Sequence, residues 1–415
     1  MRYSRPPARG CAACRFSSVH DALRQPVLIA GGGIGGVACA LAFAQRGFDV
    51  HVFEQAGAFG EVGAGIQLSP NCVRVLHALG LEERLRQIAF VPEGTQMRDW
   101  KTGRMITTNA LGAGVVAAYG FPYYHVHRAD LMNAMTAHAR EQANLQLHAG
   151  ARCASFVQTR DGVELSVVEQ GAQRSYRGAL LIGADGIQST TRAQLFGTQA
   201  PRFTGNVAWR ALVPVERLPR GLVEPVASVW MGPGKHFVHY YVRRGALVNC
   251  VCVVEKAGWE VESWTQRGDH AELKRDFAGW HGTVAALIDS MDADACFKWA
   301  LFDRPPMPKW SDGRVTLLGD ACHPTLPFMA QGAAMAIEDA AVLARCVDAA
   351  DDIGKALTRY ESLRRSRTSR VQLGSRGNAK LFHLRPPYSW LRNRALARSR
   401  GNVFDWLFRY DALNV

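Results

Sequence analysis

The sequence VLIAGGGIGGVACALAFAQRGFDVHVFE, residues 27–54, decides the fold. A short apolar run, Val27–Ala30, ends at a cluster of glycines, as a buried strand of a parallel sheet often does. The glycines open an alanine-rich segment that predicts a helix up to Gln45, and a second apolar strand ends at Phe53. Strand, glycine loop, helix and strand in this order predict the βαβ opening of a dinucleotide-binding α/β domain.

The glycine loop over residues 31–36 suits the binding of a pyrophosphate. Gly31 allows a tight turn, Gly33 lets the backbone approach the phosphates, and Gly36 lets the helix pack close to the strand. Gly35 belongs to the same loop, which lies at a helix N-terminus that attracts anions. Glu54, at the end of the second strand, suits a ribose hydroxyl. The loop by itself does not distinguish FAD from NAD.

The rest of the chain predicts one domain inserted into another. Residues 179–185 repeat the pattern of a buried strand that runs into a glycine turn. Residues 205–255 instead have the alternation of several antiparallel strands. The buried-strand pattern returns at residues 315–320, before a predicted long helix over 332–349. A basic amphipathic helix is predicted over 355–382, so a β-rich region interrupts the α/β domain and a helical tail follows it.

Two short segments make the nucleotide site more specific. GADGIQSTTR, residues 183–192, leads from a strand into a turn and ends in Arg192. GDACHP, residues 319–324, ends a strand at Asp320 and is followed by Pro327. Either segment alone would suit an ordinary turn, but their order and spacing after the glycine loop are specific.

With these three segments the sequence resembles the single-component, FAD-dependent aromatic hydroxylases, the group that includes para-hydroxybenzoate hydroxylase, over roughly residues 26–375. The resemblance implies that residues 31–36 bind the FAD pyrophosphate and that Asp320 binds the flavin ribose. Asp185, with Gly186 and Arg192, would contact both FAD and the nicotinamide cosubstrate, NADH or NADPH. The remaining cofactor contacts that we expect are Glu54, Gln55, Gln67, Arg128, the backbone of Cys153, and Ala333, which would face the isoalloxazine ring.

The resemblance also implies an α/β fold: an FAD-binding Rossmann-like domain with an inserted β-rich (α+β) substrate domain and a C-terminal helical tail. The expected parts are a disordered basic extension over 1–25, an FAD-binding domain of residues 26–97, 125–200 and 301–354, a substrate domain of 98–124 and 201–300, and a helical region over 355–415.

Within this group, residues 63–71 and 319–340 are most similar to salicylate hydroxylases. The 6-hydroxynicotinate 3-monooxygenases carry a histidine in place of Gln67, and the 3-hydroxybenzoate 6-hydroxylases carry a glutamine in place of Pro327, which we expect to contact substrate. Both differences favour salicylate, converted to catechol with loss of CO₂. The two sister activities remain alternatives.

A predicted strand over residues 235–242 carries the best candidates for substrate chemistry. Alternation puts His236 and Tyr240 on one face and His239 on the other. Both sister groups have a functional histidine and tyrosine at the positions of His236 and Tyr240, so we expect these two to be catalytic and His239 to be structural. Four residues of extended strand span about 13 Å, so both reach one small ring only if the strand curves or Tyr240 reaches back.

The resemblance implies hydroxylation of a phenolic acid by NAD(P)H and O₂ through an electrophilic flavin hydroperoxide. Deprotonating the phenol makes the ring electron-rich, and a histidine suits that task, so His236 is the expected base. Arg210, on a strand of the inserted region, offers a bidentate cation for a substrate carboxylate, although a salt bridge would suit it equally. The alternative of another class is an FAD oxidoreductase that inserts no oxygen.

Composition bounds the remaining possibilities. The chain has 415 residues and a formal net charge of +13, of which +4 falls in residues 1–25 and +11 in residues 355–415. The charge at the ends predicts a solvated surface rather than a property of the active site, and no nucleic-acid motif accompanies it. No membrane span and no metal site are expected, and irregularly spaced cysteines favour a reducing cytoplasm. We expect a monomer or homodimer.

Overall fold

The computed structural model describes residues 25–60, 64–256, 258–259, 266–399 and 404–415. The predicted extension over residues 1–25 therefore lies outside the described residues, except for Gln25. The strands are β1 Val27–Ala30, β2 Val50–Glu54, β3 Gly65–Leu68, β4 Gly94–Asp99, β5 Met105–Ala110, β6 Tyr124–His127, β7 Leu145–Ala149, β8 Ala151–Gln158, β9 Val163–Glu169, β10 Ala172–Gly178, β11 Leu180–Gly183, β12 Arg202–Pro214, β13 Val226–Gly232, β14 Lys235–Val242, β15 Leu247–Glu255, β16 Phe297–Asp303, β17 Ser311–Asp312 and β18 Val315–Leu317. The α-helices are α1 Ile34–Ala44, α2 Pro70–Ala78, α3 Glu82–Ile88, α4 Gly112–Tyr119, α5 Arg128–Arg140, α6 Thr190–Phe196, α7 His270–Asp276, α8 Gly282–Asp289, α9 Gly332–Asp348, α10 Ile353–Phe382, α11 Tyr388–Arg398 and α12 Asp405–Phe408.

The predicted βαβ opening forms the centre of a six-stranded sheet in the order β17-β18-β11-β1-β2-β7. β1 pairs in parallel with both β2 and β11, and only the short edge pairing of β17 with β18 is antiparallel. All four residues of β1 are buried. Helices α1 and α9 pack against each other and form the main core together with this sheet. An antiparallel sheet of β8, β9 and β10 encloses a second core that includes Leu28 and Phe53.

The inserted region forms a seven-stranded sheet in the order β16-β12-β15-β14-β13-β4-β5. Helices α7 and α8 cover one face, where Trp209 and Phe237 belong to a buried apolar cluster. The predicted α/β fold with an inserted β-rich unit is confirmed. The sheet nevertheless extends past the predicted limits of the insert, 98 and 300, because β4 pairs in parallel with β13 and β16 pairs with β12.

Most of the described lysines and arginines of the C-terminal region are exposed, as its charge predicts, but several are buried. In α10, Arg364 is fully buried and binds Glu338 and Asp339 of α9 at 2.7 Å each. Arg376, further along α10, binds Asp303 at the end of β16 at 2.6 Å. Part of the basic charge therefore neutralises buried carboxylates and joins the tail to α9 and to the seven-stranded sheet. Among the described residues, no helix is long and apolar enough to cross a membrane.

Candidate active site

A cavity of about 740 Å³ lies where the six-stranded sheet, the inner face of the seven-stranded sheet and the start of α9 meet. Its size falls in the range of ligand pockets, roughly 300–1,000 Å³. Every predicted site residue except Gly36 and Arg192 lines it: Gly31, Gly33, Gly35, Glu54, Gln55, Gln67, Arg128, Cys153, Asp185, Gly186, Arg210, His236, Tyr240, Asp320, Pro327 and Ala333.

The glycine loop supplies a surface of backbone at one end of the cavity. Gly31 has a φ of +106°, and a Cβ there would lie 2.3 Å from the carbonyl oxygen of Ala184. At Gly36 a Cβ would lie 1.9 Å from the carbonyl oxygen of Gly31, so this glycine lets α1 begin directly beneath β1. Glu54 accepts hydrogen bonds from the backbone N–H groups of Gly32 and Ala56, at 2.8 Å each, which holds its carboxylate at the cavity wall.

The two segments after β11 and β18 are joined to each other beside this loop. Asp185 lines the cavity, and its Oδ2 accepts hydrogen bonds from the backbone N–H and the hydroxyl of Thr191, both at 3.0 Å. Arg192, which sequence reasoning placed near the cofactor, is buried and donates to the carbonyl oxygens of Ala321 and Ile187 at 2.9 and 2.7 Å. Arg192 therefore holds the segments together without lining the cavity.

Two residues of opposite charge, Asp320 and Arg128, line the cavity. Asp320 faces the cavity, and the surrounding protein shields its carboxylate from bulk water, which raises its pKa. The Arg128 guanidinium opposes that rise, while burial lowers the pKa of Arg128 itself. The pair offers one hydrogen-bond acceptor and one cation to a polar ligand such as a ribose and its phosphates.

The first turn of α9 also opens onto the cavity, through Gly332, Ala333 and Ala336. A helix N-terminus carries partial positive charge and stabilises an anion placed against it. Cys322, His323 and Asp339 lie behind this turn, with potential metal-ligating atoms within 4.8 Å of one another. His323 Nε2 bonds Asp339 Oδ2 at 2.5 Å, and Arg364 donates to Oδ1 at 2.7 Å, so the carboxylate is already neutralised within the described residues.

Strand register organises the other end of the cavity. Arg210 on β12 is paired with Val251 on β15, and Val251 with Val238 on β14, so these three residues form one row across the sheet. His236 and Tyr240 lie on β14 on either side of that row. All five line the cavity, so His236 and Tyr240 open onto a single space.

The polar groups on this face are held by aromatic neighbours. The guanidinium of Arg210 lies 5.1 Å from the centre of the Trp299 ring, and burial lowers its pKa to about 10, which leaves it cationic at neutral pH. Burial raises the pKa of Tyr240, so its phenol stays protonated there. Gln67 accepts a hydrogen bond of 2.6 Å from the Tyr123 hydroxyl, close to Tyr240.

His236 has a partner that sequence reasoning missed. Its Nδ1 lies 2.8 Å from Nε2 of His383, the residue that follows α10. His239 points to the other side of the sheet, where its ring lies 6.1 Å from Phe237 and 6.3 Å from Trp230. Within the described chain, neither nitrogen of His239 has a hydrogen-bond partner. No motif marked His383, because nothing in the sequence relates a residue after a helix to a strand 147 positions earlier.

The geometry fits FAD. Gly31, Gly33 and Gly35 line the cavity at the start of α1, where backbone N–H groups attract a pyrophosphate. Glu54 and Asp320 offer acceptors for ribose hydroxyls, and the cavity continues from there to the α9 N-terminus. A family model described as FAD binding domain matches residues 24–372. The chain belongs to this family.

Members of the family that are similar to this chain along nearly its whole length are aromatic monooxygenases. A 3-amino-4-hydroxybenzoate 2-monooxygenase of Streptomyces platensis is 38% identical, over 94% of this chain and 98% of the relative. A 3-hydroxybenzoate 6-hydroxylase of Polaromonas naphthalenivorans is also 38% identical, over 94% and 97%. A 6-hydroxynicotinate 3-monooxygenase of Bordetella bronchiseptica is 37% identical, over 93% and 95%. The chain is therefore an FAD-dependent aromatic monooxygenase, a class that uses NAD(P)H as cosubstrate.

Solved structures support the same assignment. HpxO of Klebsiella pneumoniae in complex with FAD and uric acid superposes with a TM-score of 0.82 at 28% identity, covering 94% of this chain and 97% of that one. A salicylate hydroxylase substrate complex gives a TM-score of 0.77 at 26% identity, covering 94% and 96%. The predicted membership of the single-component aromatic hydroxylases is thus confirmed.

Proposed function

We propose that this FAD-dependent monooxygenase hydroxylates an aromatic ring that carries both a hydroxyl and a carboxylate. The observation that carries the proposal is the inner face of the seven-stranded sheet, where Arg210 and His236 line one cavity opposite the N-terminus of α9. A cation for the carboxylate and a neutral imidazole for the hydroxyl are the two groups that such a substrate needs.

Arg210 is the proposed carboxylate-binding residue. Its guanidinium is fixed against Trp299 and stays charged, and a planar guanidinium can donate two parallel hydrogen bonds to one carboxylate. Because its row in the sheet passes between His236 and Tyr240, a ring held by Arg210 through its carboxylate would have its hydroxyl near one or the other.

His236 is the proposed acceptor of the phenolic proton. Its Nδ1 is engaged by His383, which leaves Nε2 for a ligand in the cavity. Burial and the neighbouring His383 hold the pKa of His236 well below its usual value, so the ring is neutral throughout the neutral range and its second nitrogen can face the substrate hydroxyl. Tyr240, whose phenol stays protonated, would donate a hydrogen bond to the substrate rather than remove a proton.

The proposed cofactor contacts are those predicted from the sequence, except that Arg192 joins the segments after β11 and β18 and does not line the cavity. When bound, FAD supplies electron transfer from NAD(P)H and the activation of O₂. The chain contributes the N-terminus of α9 at Ala333, which stabilises negative charge on the ring system. Apolar Leu326 and Pro327 line the cavity and help to exclude water from it.

Salicylate, converted to catechol with decarboxylation, remains the specific substrate proposed from Gln67 and Pro327. The names of the similar enzymes support the alternatives, 3-hydroxybenzoate 6-hydroxylation and 6-hydroxynicotinate 3-hydroxylation. All three acids share the carboxylate that Arg210 would bind and the ring hydroxyl that His236 would deprotonate. A cytoplasmic monomer or homodimer also stays a proposal, to be tested by cell fractionation and light scattering.

A panel of acids tests the proposed function on the FAD-loaded enzyme. Salicylate, 3-hydroxybenzoate, 6-hydroxynicotinate and 3-amino-4-hydroxybenzoate are compared with phenol, and hydroxylated product, NADH or NADPH consumed, and H₂O₂ released are measured for each. We expect at least one acid to give product in near-stoichiometric ratio to the nicotinamide consumed. If every acid stimulated oxidation without taking up ¹⁸O from ¹⁸O₂, the substrate class would be wrong.

Replacing the cation tests the assigned role of Arg210. For the acid that is turned over, Arg210→Leu should raise KM roughly 10–100-fold, since a hydrogen bond to a charged group contributes about 1.5–3 kcal/mol. Binding of phenol, which lacks the carboxylate, should change little. An equal loss for the acid and for phenol would show that Arg210 is a structural residue.

A further inference from the structure

A chain of three titratable side chains leads from the cavity to the protein surface. His236 lines the cavity, and its Nδ1 lies 2.8 Å from Nε2 of His383. The other ring nitrogen of His383, Nδ1, lies 3.1 Å from Oε1 of Glu255. The side chain of Glu255 is 48% exposed, whereas that of His383 is only 2% exposed. This series of side chains therefore leads from the cavity, through the buried ring of His383, to the solvent at Glu255.

Backbone hydrogen bonds hold the three residues in place. His236 lies on β14 and Glu255 ends β15, while His383 comes from the end of α10. The backbone N–H of Gly234 donates to the carbonyl oxygen of His383 at 3.0 Å, and the N–H of Glu255 donates to the carbonyl oxygen of Gly234 at 2.9 Å. The end of the helix and the β14–β15 pair are thus fixed to each other at the position where the rings meet.

We propose that His383 and Glu255 form the exit path for the proton that His236 takes from the substrate, an inference that rests on the proposed function. Before the step, His236 carries its proton on Nδ1 and donates it to His383 Nε2, and His383 donates its own Nδ1 proton to the Glu255 carboxylate. The phenolic O–H then breaks and a proton bonds to His236 Nε2. The Nδ1 proton of His236 moves to His383, that of His383 moves to Glu255, and Glu255 releases it to water. No electron is transferred. The same path run in reverse brings a proton from water, His236 Nε2 gives its proton to the product oxygen, and the starting tautomers are restored.

Burial explains why such a path is needed. A protonated His236 would be a buried cation beside apolar Phe328 and Phe382, and this is costly unless the proton moves on. The charged groups that face His383 from the surrounding elements are Glu255 on β15 and Arg392 on α11. The carboxylate favours a proton at this end of the path, and Arg392 opposes its lasting retention there.

Stopped-flow measurement of phenolate formation tests the path in the FAD-loaded enzyme without NADH. The probe is 3-hydroxybenzoate, whose phenolate absorbs at longer wavelength than its phenol, mixed at constant pH in weak buffer. His383→Gln keeps a hydrogen-bonding side chain but cannot relay a proton, and it should slow phenolate formation about tenfold, less than the loss expected for the base itself. Glu255→Gln, at the exposed end, should slow it about threefold. Imidazole buffer should restore the rate of Glu255→Gln, because a solute can reach that position.

Two matched variants separate a proton path from a structural role. His239→Gln makes the same change at a buried histidine on the opposite face of β14, and Glu224→Gln makes it at an exposed carboxylate that binds Arg98 at 2.8 Å. Both should retain the wild-type rate and should not respond to imidazole. The ratio of product to NADH consumed should fall for His383→Gln and stay unchanged for His239→Gln, at equal FAD content.

The outcomes distinguish this inference from the proposed function. If His236→Ala forms phenolate and product like the wild type, His236 is not the base and the path has no proton to carry. If phenolate formation is slowed in His236→Ala but not in His383→Gln or Glu255→Gln, His236 is the base and the proposed path is wrong. If His383→Gln does not retain FAD, Glu255→Gln decides: a wild-type rate without response to imidazole overturns the path.

Discussion

The two ends of the cavity are built in different ways. At the nucleotide end, residues 31–36 and the segments after β11 and β18 present backbone groups and short acidic side chains, each within a few residues of a strand end. At the substrate end, Arg210 and His236 come from strands that meet only through β15, and His383 comes from the tail. The first end depends on close backbone approach within local motifs, and the second depends on register and long-range packing. We expect mutations at the two ends to fail in different ways.

The largest effect should follow from a single methyl group at the nucleotide end. In Gly36→Ala the new Cβ would lie 1.9 Å from the carbonyl oxygen of Gly31, a backbone clash that no side-chain rotation relieves. We expect loss of bound flavin, measured by absorbance of the purified protein, together with a low folded yield. Gly114→Ala, at a helical glycine with no atom within 4 Å, is the control and should keep full flavin. Full flavin in both variants would show that flavin binding does not depend on the absence of a side chain at Gly36.

At the substrate end we expect the opposite pattern, with flavin retained and chemistry lost. His236→Ala should bind FAD and be reduced by NADH, yet form product about 10²–10⁴-fold more slowly and release H₂O₂ instead, because loss of a general base typically costs this factor. His239→Ala, on the other face of β14, should keep its ratio of product to NADH. The reverse result, with coupling lost only in His239→Ala, would exchange the roles of the two faces.

The contact between the tail and α9 should affect stability more than chemistry. Arg364→Met leaves the buried carboxylates of Glu338 and Asp339 short of one cation, and we expect the free energy of unfolding to fall by about 3–5 kcal/mol. Chemical denaturation of the FAD-loaded protein measures this loss. Arg365→Met removes a neighbouring ion pair of 3.7 Å with Glu361, in which the arginine is exposed, and should cost less than about 1 kcal/mol. Equal losses would show that the buried cluster stabilises the fold no more than a surface ion pair does.

The smallest effect should come from removing residues 1–24. The central strand β1 begins at Val27, and its partners β2 and β11 lie entirely downstream. Flavin content and turnover should therefore remain nearly unchanged. A truncated protein that no longer binds FAD would place part of the nucleotide end in this segment.

Much of the nucleotide end could be predicted because its determinants are local. A parallel strand, a glycine loop and a helix are encoded by consecutive residues, and the steric need for Gly31 and Gly36 follows from the motif itself. The alternation of β14 was equally local, and the structure has this strand at the predicted bounds, Lys235–Val242, with His236 and Tyr240 toward the cavity. What the sequence could not show was the role of Arg192, because one of its two carbonyl acceptors, that of Ala321, lies 129 positions further along the chain.

The sequence by itself determined the α/β class, the dinucleotide-binding loop and the alternation that puts His236 and His239 on opposite faces of β14, since each follows from short-range periodicity and backbone sterics. Only the tertiary structure decided which cations are buried and which residues complete the substrate end. The charge of the tail predicted a solvated helix, yet Arg364 lies in the core, because two buried carboxylates on α9 offset the cost of its desolvation. His383 likewise reaches His236 only because α10 packs so that its C-terminal end lies beside β14. The two residues are 147 positions apart, and no local sequence pattern encodes this contact.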